Sequence, residues 1–277
     1  MLVIAMIISG RATRYEVCLL PFLEAIDEKL YTIDLFMSIN GEICPYYDTM
    51  QVRLKKWLRG FYINKYELPA DYKHTHEFKG STQFVNGTWV HYNQMSMYFN
   101  DYKSFSIAEN YSKENNIEYD YYMKYRADII NTSLPPLKQP SPEIKLYSIV
   151  PISDFTSNGI YKKLIVSDAW VWGNQETMRK YVNTYFFVLD TLRELNGNYY
   201  IGFEDCVTDN VYQNEIPIEY VYHYHNLDRN RRLFDTRWVK DSNGEPIETR
   251  DRGIQDVKEY INIKEVIDTS FIPVQSD

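Results

Sequence analysis

The chain predicts an α/β fold: one domain with a mostly parallel central sheet flanked by helices. Three observations carry this reading. Residues 2–8 form an unbroken apolar run, the pattern of a strand covered on both faces. Segments with helical and strand-like spacing then alternate, which is how parallel sheets with right-handed crossovers are built. The composition can also supply a core, with 44% hydrophobic residues, 16% aromatics and 26 tyrosines among 277 residues.

The elements follow in order. Ser9-Gly10-Arg11 ends the first run. Tyr15, Leu19, Phe22, Leu23 and Ile26 recur at helical steps, and Pro21 should kink or split that helix. Residues 31–39 predict a second strand. Asp48 is expected as an N-cap with Gln51 three residues on, and Met50, Leu54, Trp57 and Leu58 give one apolar stripe. Residues 61–66 predict a third strand, and residues 70–91, rich in His, Lys, Gly and Thr, predict loop. A long helix is expected over 92–115, with Met95, Tyr98, Tyr102, Phe105 and Ala108 on one face. An aromatic strand over 118–125 ends in Lys124-Tyr-Arg126-Ala-Asp128. Four prolines make residues 134–142 a loop. Strands are expected at 144–150 and 161–167, helices at 175–195 and 203–213, and a last strand at 218–225. From residue 226 on, 20 of 52 residues are charged against 25% overall. The expected organisation is therefore a domain over 1–225 and a charged extension over 226–277 packed on it.

Composition also excludes. This apolar content excludes disorder, and 11 Gly with 11 Pro exclude collagen-like and low-complexity chains. A net charge of −8 argues against a nucleic-acid-coating protein, which needs a basic footprint. Cys18, Cys44 and Cys206 are sparse, odd in number and far apart, which predicts reduced thiols and a cytoplasmic protein. The apolar N-terminus lacks a basic leader region and is shorter than the roughly 20 residues a membrane span needs. No membrane span is expected. The glycosylation triplets at Asn86, Asn110 and Asn131 are expected to be chance.

Ligands of open α/β sheets bind at the carboxyl ends of the strands, and four groups are expected there. Ser9, Gly10, Arg11 and Arg14 combine a small-residue turn, a helix start and guanidinium groups, which suits an anion. A tight turn with solvated arginines would look the same. Arg126 and Asp128, two apart past a buried strand, can hold phosphate and a hard cation, or simply pair with each other. His223 and His225 share a strand face and can ligate a metal, or sit as surface histidines. Asp168, Glu204 and Asp205 are candidate general bases. For Glu204 and Asp205 the helix dipole alone is a sufficient reason. Trp170 and Trp172 can stack on a sugar ring or fill the core.

These pieces together resemble GT-A-type glycosyltransferases, in particular those encoded by large DNA viruses of algae and amoebae. The resemblance is carried by the opening strand with Ser9-Gly10-Arg11, by the block from Tyr119 to Asp128, and by Ser167-Asp168-Ala-Trp170-Val-Trp172-Gly173-Asn-Gln-Glu-Thr-Met178. It spans residues 1–225 and implies a GT-A-like, Rossmann-like domain. It implies that Asp128 holds Mn²⁺ or Mg²⁺ against the donor diphosphate, in an Arg-x-Asp variant of the family's Asp-x-Asp motif. Arg126 would touch the donor, with Ser9, Gly10, Arg11 and Arg14 at the nucleotide. Asp168 and Trp170 would meet sugars, Glu204 or Asp205 would be the acid before the last core helix, and His223 or His225 the late metal ligand. The implied activity is transfer of a sugar, from a UDP-sugar first, to a glycan or glycoprotein hydroxyl. The missing first acid keeps a non-catalytic sugar- or nucleotide-binding protein in view. The histidines with Asp128 and Asp205 keep a metal-dependent phosphoester hydrolase in view.

Overall fold

A computed structural model of the chain describes residues 1–9, 15–16, 18–40, 47–72, 83–85, 88–90, 92–127, 134–135, 137, 140, 145–149, 166–197, 199 and 203–221. The elements are β1 (Leu2–Ser9), α1 (Leu19–Glu24), β2 (Tyr31–Asn40), α2 (Tyr47–Leu54), β3 (Leu58–Asn64), β4 (Gln83–Val85) and β5 (Thr88–Val90). There follow α3 (Tyr92–Asn115), β6 (Tyr121–Arg126), β7 (Leu146–Ile149), β8 (Trp170–Gly173), α4 (Gln175–Val182), α5 (Thr184–Glu194), α6 (Phe203–Gln213) and β9 (Ile218–Val221).

Seven strands form one sheet in the order β3-β2-β1-β6-β8-β7-β9. Every neighbouring pair is parallel except the two made by β8, which runs against β6 and β7. The fold class is the expected one: α/β, with a mostly parallel sheet flanked by helices. From β1 the chain steps through β2 to β3 in one direction, then crosses to β6 on the other side of β1. Right-handed crossovers made in opposite directions put their helices on opposite faces.

The strand residues sort accordingly. Ile4, Met6, Ile8, Leu35, Met37, Met123, Tyr125, Trp170 and Trp172 pack with Leu19, Phe22 and Leu23 of α1 and with Met50 and Leu54 of α2. Phe22 stacks on Tyr125 at 4.5 Å and meets Trp170 edge-on at 5.7 Å. The opposite face sets Ala5, Ile7, Phe36, Tyr122 and Val171 against apolar residues of α3 to α6. A side chain at Gly60 would collide with Ile107, so glycine lets α3 approach β3 closely.

Several expectations are corrected. Pro21 is the third residue of α1, in a first turn whose N–H groups have no partner within the helix, so it neither kinks nor splits it. Asp48 lies inside the first turn of α2, favoured by the helix dipole and not as an N-cap. Leu58 leaves the α2 stripe and opens β3. The stretch expected as loop over 70–91 contains the antiparallel β4–β5 pair, and the Asn86-Gly87 between them is a tight-hairpin sequence. The expected helix over 175–195 is two helices. Asn210 Nδ2 donates to the carbonyls of Lys180 (2.9 Å) and Tyr181 (3.3 Å), and Thr184 Oγ1 donates to Tyr181 O at 2.7 Å. With these carbonyls taken by side chains, the ladder breaks at Asn183. The strand expected at 161–167 falls mostly outside the described residues, and the strand found in the sheet is Trp170–Gly173. Cys18 and Cys206 are buried and form no disulfide among the described residues, while Cys44 and the extension over 226–277 lie outside the described residues. Among the described residues no helix is long and apolar enough to cross a membrane.

Candidate functional site

The strand order reverses between β1 and β6, the place where open α/β sheets leave a crevice at their carboxyl ends. Ser9 and Arg126 are the last pair in register there. Because β8 is antiparallel, its beginning lies at the same end, with Trp170 opposite Tyr125. The loop that enters β8 therefore delivers Asp168 to Arg126. Arg126 Nη1 donates to Asp168 Oδ2 at 3.0 Å, and the Arg126 amide donates to Ala169 O at 3.1 Å. The guanidinium side chain is 15% exposed and the carboxylate 6%, so the pair stands at the rim between core and solvent.

The Asp168 loop is fastened on three sides. The Ser167 amide donates to Ser148 Oγ of β7 at 2.9 Å, and the Val166 amide donates to Thr208 Oγ1 of α6 at 2.8 Å. Tyr181 of α4 donates its hydroxyl to Ser167 O at 3.2 Å. Ser167 Oγ accepts from the amides of Ala169 and Trp170, a local turn that sets the entry to β8.

Polar groups continue below the rim on the α3 face. Lys124, two residues before Arg126 and so on the same face of β6, is 0% exposed. Its Nζ pairs with Asp101 Oδ2 of α3 at 2.5 Å and lies 5.7 Å from the centre of the Tyr181 ring. Just past the last paired residues of β1 and β2, Ser104 Oγ accepts from the Ser38 amide (2.7 Å) and donates to Ile8 O (2.8 Å). Ser38 Oγ donates to Asn100 Oδ1 at 2.7 Å. Burial raises the Tyr181 hydroxyl well above its ordinary value, helped by Asp101, Asp168 and Glu204 and opposed by Arg126. Tyr98 is also raised well above its ordinary value, first by burial and then by Cys206 and Asp168. Both phenols stay protonated and able to donate.

The structure thus joins Arg126 to Asp168 and sets Ser9 in register beside them. Glu204 is half-buried in the first turn of α6, near enough to act on Tyr181, and Asp205 next to it is exposed. Trp170 is corrected: it is 0% exposed, packed on Phe22 and Tyr125, and belongs to the core and not to a sugar-facing surface. Trp172 is buried as well, stacked on Tyr147 at 5.5 Å. Gly10, Arg11, Arg14, Asp128, His223 and His225 lie outside the described residues. Among the described residues no group of three or more His, Cys, Asp or Glu can hold a metal ion, and Asp168 is already committed to Arg126. The described residues therefore do not themselves fit a divalent cation. Sequence reasoning missed Lys124, Asp101, Tyr181 and Ser104. The one available signal was a lysine in the middle of an aromatic strand, Tyr-Tyr-Met-Lys124-Tyr-Arg126.

No protein-family model matches the chain, and no curated protein matches it. Among solved structures it is similar to mouse xyloside xylosyltransferase 1, at 12% identity over 79% of this chain and 84% of that one, with a TM-score of 0.41. It is similar to a glycosyltransferase involved in glycosylation of the major capsid of PBCV-1, at 12% identity over 80% and 82% of the two chains, TM-score 0.34. It is also similar to a nucleoside-diphosphate-sugar pyrophosphorylase from Vibrio cholerae, at 8% identity over 79% and 91%, TM-score 0.37. These are likenesses of chain course at low identity.

Proposed function

We propose that the chain is a glycosyltransferase that moves a sugar from a nucleotide-sugar donor, a UDP-sugar first, to a hydroxyl of a glycan or glycoprotein acceptor. The observation that carries the reading is the Arg126–Asp168 pair at the carboxyl ends of the strands, where the strand order reverses. Such transfer needs a cation to stabilise the departing diphosphate and a carboxylate to take the acceptor proton or orient the sugars. In this reading Arg126 meets the diphosphate and Asp168 meets the sugars, with Glu204 and Asp205 as further acids on α6. Ser9, Gly10, Arg11 and Arg14 receive the nucleotide. The Mn²⁺ or Mg²⁺ expected from the sequence belongs to the same proposal, held by Asp128, His223 and His225. A cytoplasmic site of action is part of the proposal.

The test is a thermal-shift screen of UDP, GDP and their sugars with and without Mn²⁺, followed by nucleoside diphosphate release with glycan acceptors. A ligand that binds only the folded chain raises Tm by mass action. The reading expects a shift with one nucleotide, its loss in Arg126→Met, and release that depends on acceptor. Release that ignores acceptor supports a hydrolase instead. A shift without turnover supports a binding protein, and no shift at all overturns the proposal.

A further inference from the structure

The Lys124–Asp101 pair is oddly placed for stability. Lys124 is 0% exposed and Asp101 only 3%, under a sheet whose neighbouring residues on that face include Tyr122 and Val171. A buried ion pair of this kind is commonly matched or bettered in stability by apolar residues of similar volume, because desolvation offsets the attraction between the charges. Breaking it by removing one partner is costly, however. Stability alone therefore does not account for the two charges, and what they touch offers an account.

The pair reaches both members of the rim pair. Along β6, Lys124 is two residues from Arg126 on the same face, and its bond to Asp101 ties that end of the strand to α3. Across the layer, its ammonium lies over the ring of Tyr181, within reach of a cation–π attraction. The Tyr181 hydroxyl donates to Ser167 O, the carbonyl next to Asp168. We propose that Lys124 and Asp101 are positioning residues, which hold Arg126 through the strand and Asp168 through Tyr181 in the geometry the crevice needs. This deepens the glycosyltransferase reading and rests on it for the chemistry, though not for the mechanical coupling.

The coupling is testable without any activity. Asp168→Asn breaks the rim pair, and the resulting shift in urea midpoint is measured in the native background and in Lys124→Met/Asp101→Leu. Independent sites give additive shifts, while groups in one network do not. The expectation is that the double variant stays folded with Tm unchanged or raised, and that the shift from Asp168→Asn falls to half or less. An unchanged shift overturns the proposal and leaves the pair merely structural. If the double variant does not fold, Tyr181→Phe carries the same test: it removes only the hydroxyl link, and an unchanged Asp168→Asn shift there overturns the proposal equally.

The chemical arm uses nucleoside diphosphate release from the UDP- or GDP-sugar that gives the thermal shift, with a glycan acceptor. The double variant should lose kcat on the order of tenfold or more, with donor KM moved far less, as expected for a misplaced reacting group. Lys124→Arg, which keeps the charge, should recover most of the loss. A full loss in Lys124→Arg, or a loss confined to KM, overturns the positioning role. If the native chain releases no nucleotide, the glycosyltransferase reading fails, and the urea experiment still decides the coupling.

Discussion

The two faces of the central sheet come from the same strands, residue by alternating residue, yet they are built on different terms. Under α1 and α2 the layer is apolar: Met6, Ile8, Met37, Met123, Tyr125 and Trp170 meet Phe22, Leu23, Met50 and Leu54. Under α3 to α6 the layer turns polar towards the carboxyl ends, through Ser38, Lys124 and Arg126, answered by Asn100, Ser104, Asp101 and Asp168. The first face gets its free energy from burial, which needs size and fit. The second is held by directional bonds, which fix positions and lose much when one partner is removed. A crevice that must hold charged groups in place needs the second kind of face.

The comparison breaks first at Trp170. Trp170→Ala opens a large cavity against Phe22 and Tyr125 and should cost roughly 3–5 kcal/mol, read as a lower urea midpoint. The fraction that remains folded should bind nucleotide as before, because the ring does not face the crevice. A selective loss of binding with intact stability would return Trp170 to the site. On the polar face, Lys124→Met leaves Asp101 buried beside no lysine and should cost about 3 kcal/mol, near the lower end for a broken buried pair. Its apolar double variant should regain all of that or more. A smaller loss is expected from Ser104→Ala, about 1–3 kcal/mol, since Ile8 O and the Ser38 amide both lose their hydroxyl partner. Native-state hydrogen exchange should show faster exchange at the Ser38 amide in that variant. Unchanged protection there would mean that another group replaces the hydroxyl.

The same contrast explains what the sequence made legible. Long apolar runs and helical spacing show without any tertiary partner, so β1, β2 and the long α3 were readable, as was α6. Elements that depend on tertiary partners were not. Trp170-Val-Trp-Gly173 is buried on both faces and too short to show a period, so its strand was hidden. The break between α4 and α5 is made by Asn210, which is far along the chain. At the site, Arg126 and Asp168 were each readable as chemistry-bearing residues at strand ends, but their bond depends on the reversed direction of β8, which no local pattern encodes. Lys124 and Asp101 were unreadable for the same reason: a lysine in a strand and an aspartate in a helix become a pair only once the layers stack.

The effect that reads both faces in one titration is alkaline loss of stability. Tyr98 and Tyr181 are raised well above the ordinary phenol value by burial first, then by Cys206 and Asp168 for Tyr98 and by Asp101, Asp168 and Glu204 for Tyr181. On the apolar face Tyr121 is pushed up to about 12, again by burial first and then by Tyr147. A raised folded value favours the fold while the phenol stays protonated. That contribution is fully present below the unfolded value of about 10 and is lost as pH rises through the folded one. Each such tyrosine therefore removes up to about 1.4 kcal/mol per pH unit above that point. For Tyr121 the loss runs from about pH 10 to about 12, and Tyr98 and Tyr181 add to it in the same direction. Urea midpoints should be level from pH 8 to 9 and fall beyond pH 10, with phenolate absorbance from these buried rings rising only as the chain unfolds. Tyr181→Phe should flatten the fall, because it removes one of the titrating groups. If the slope stays the same in that variant, the α3 face is more open to water than Lys124, Asp101 and Tyr181 require.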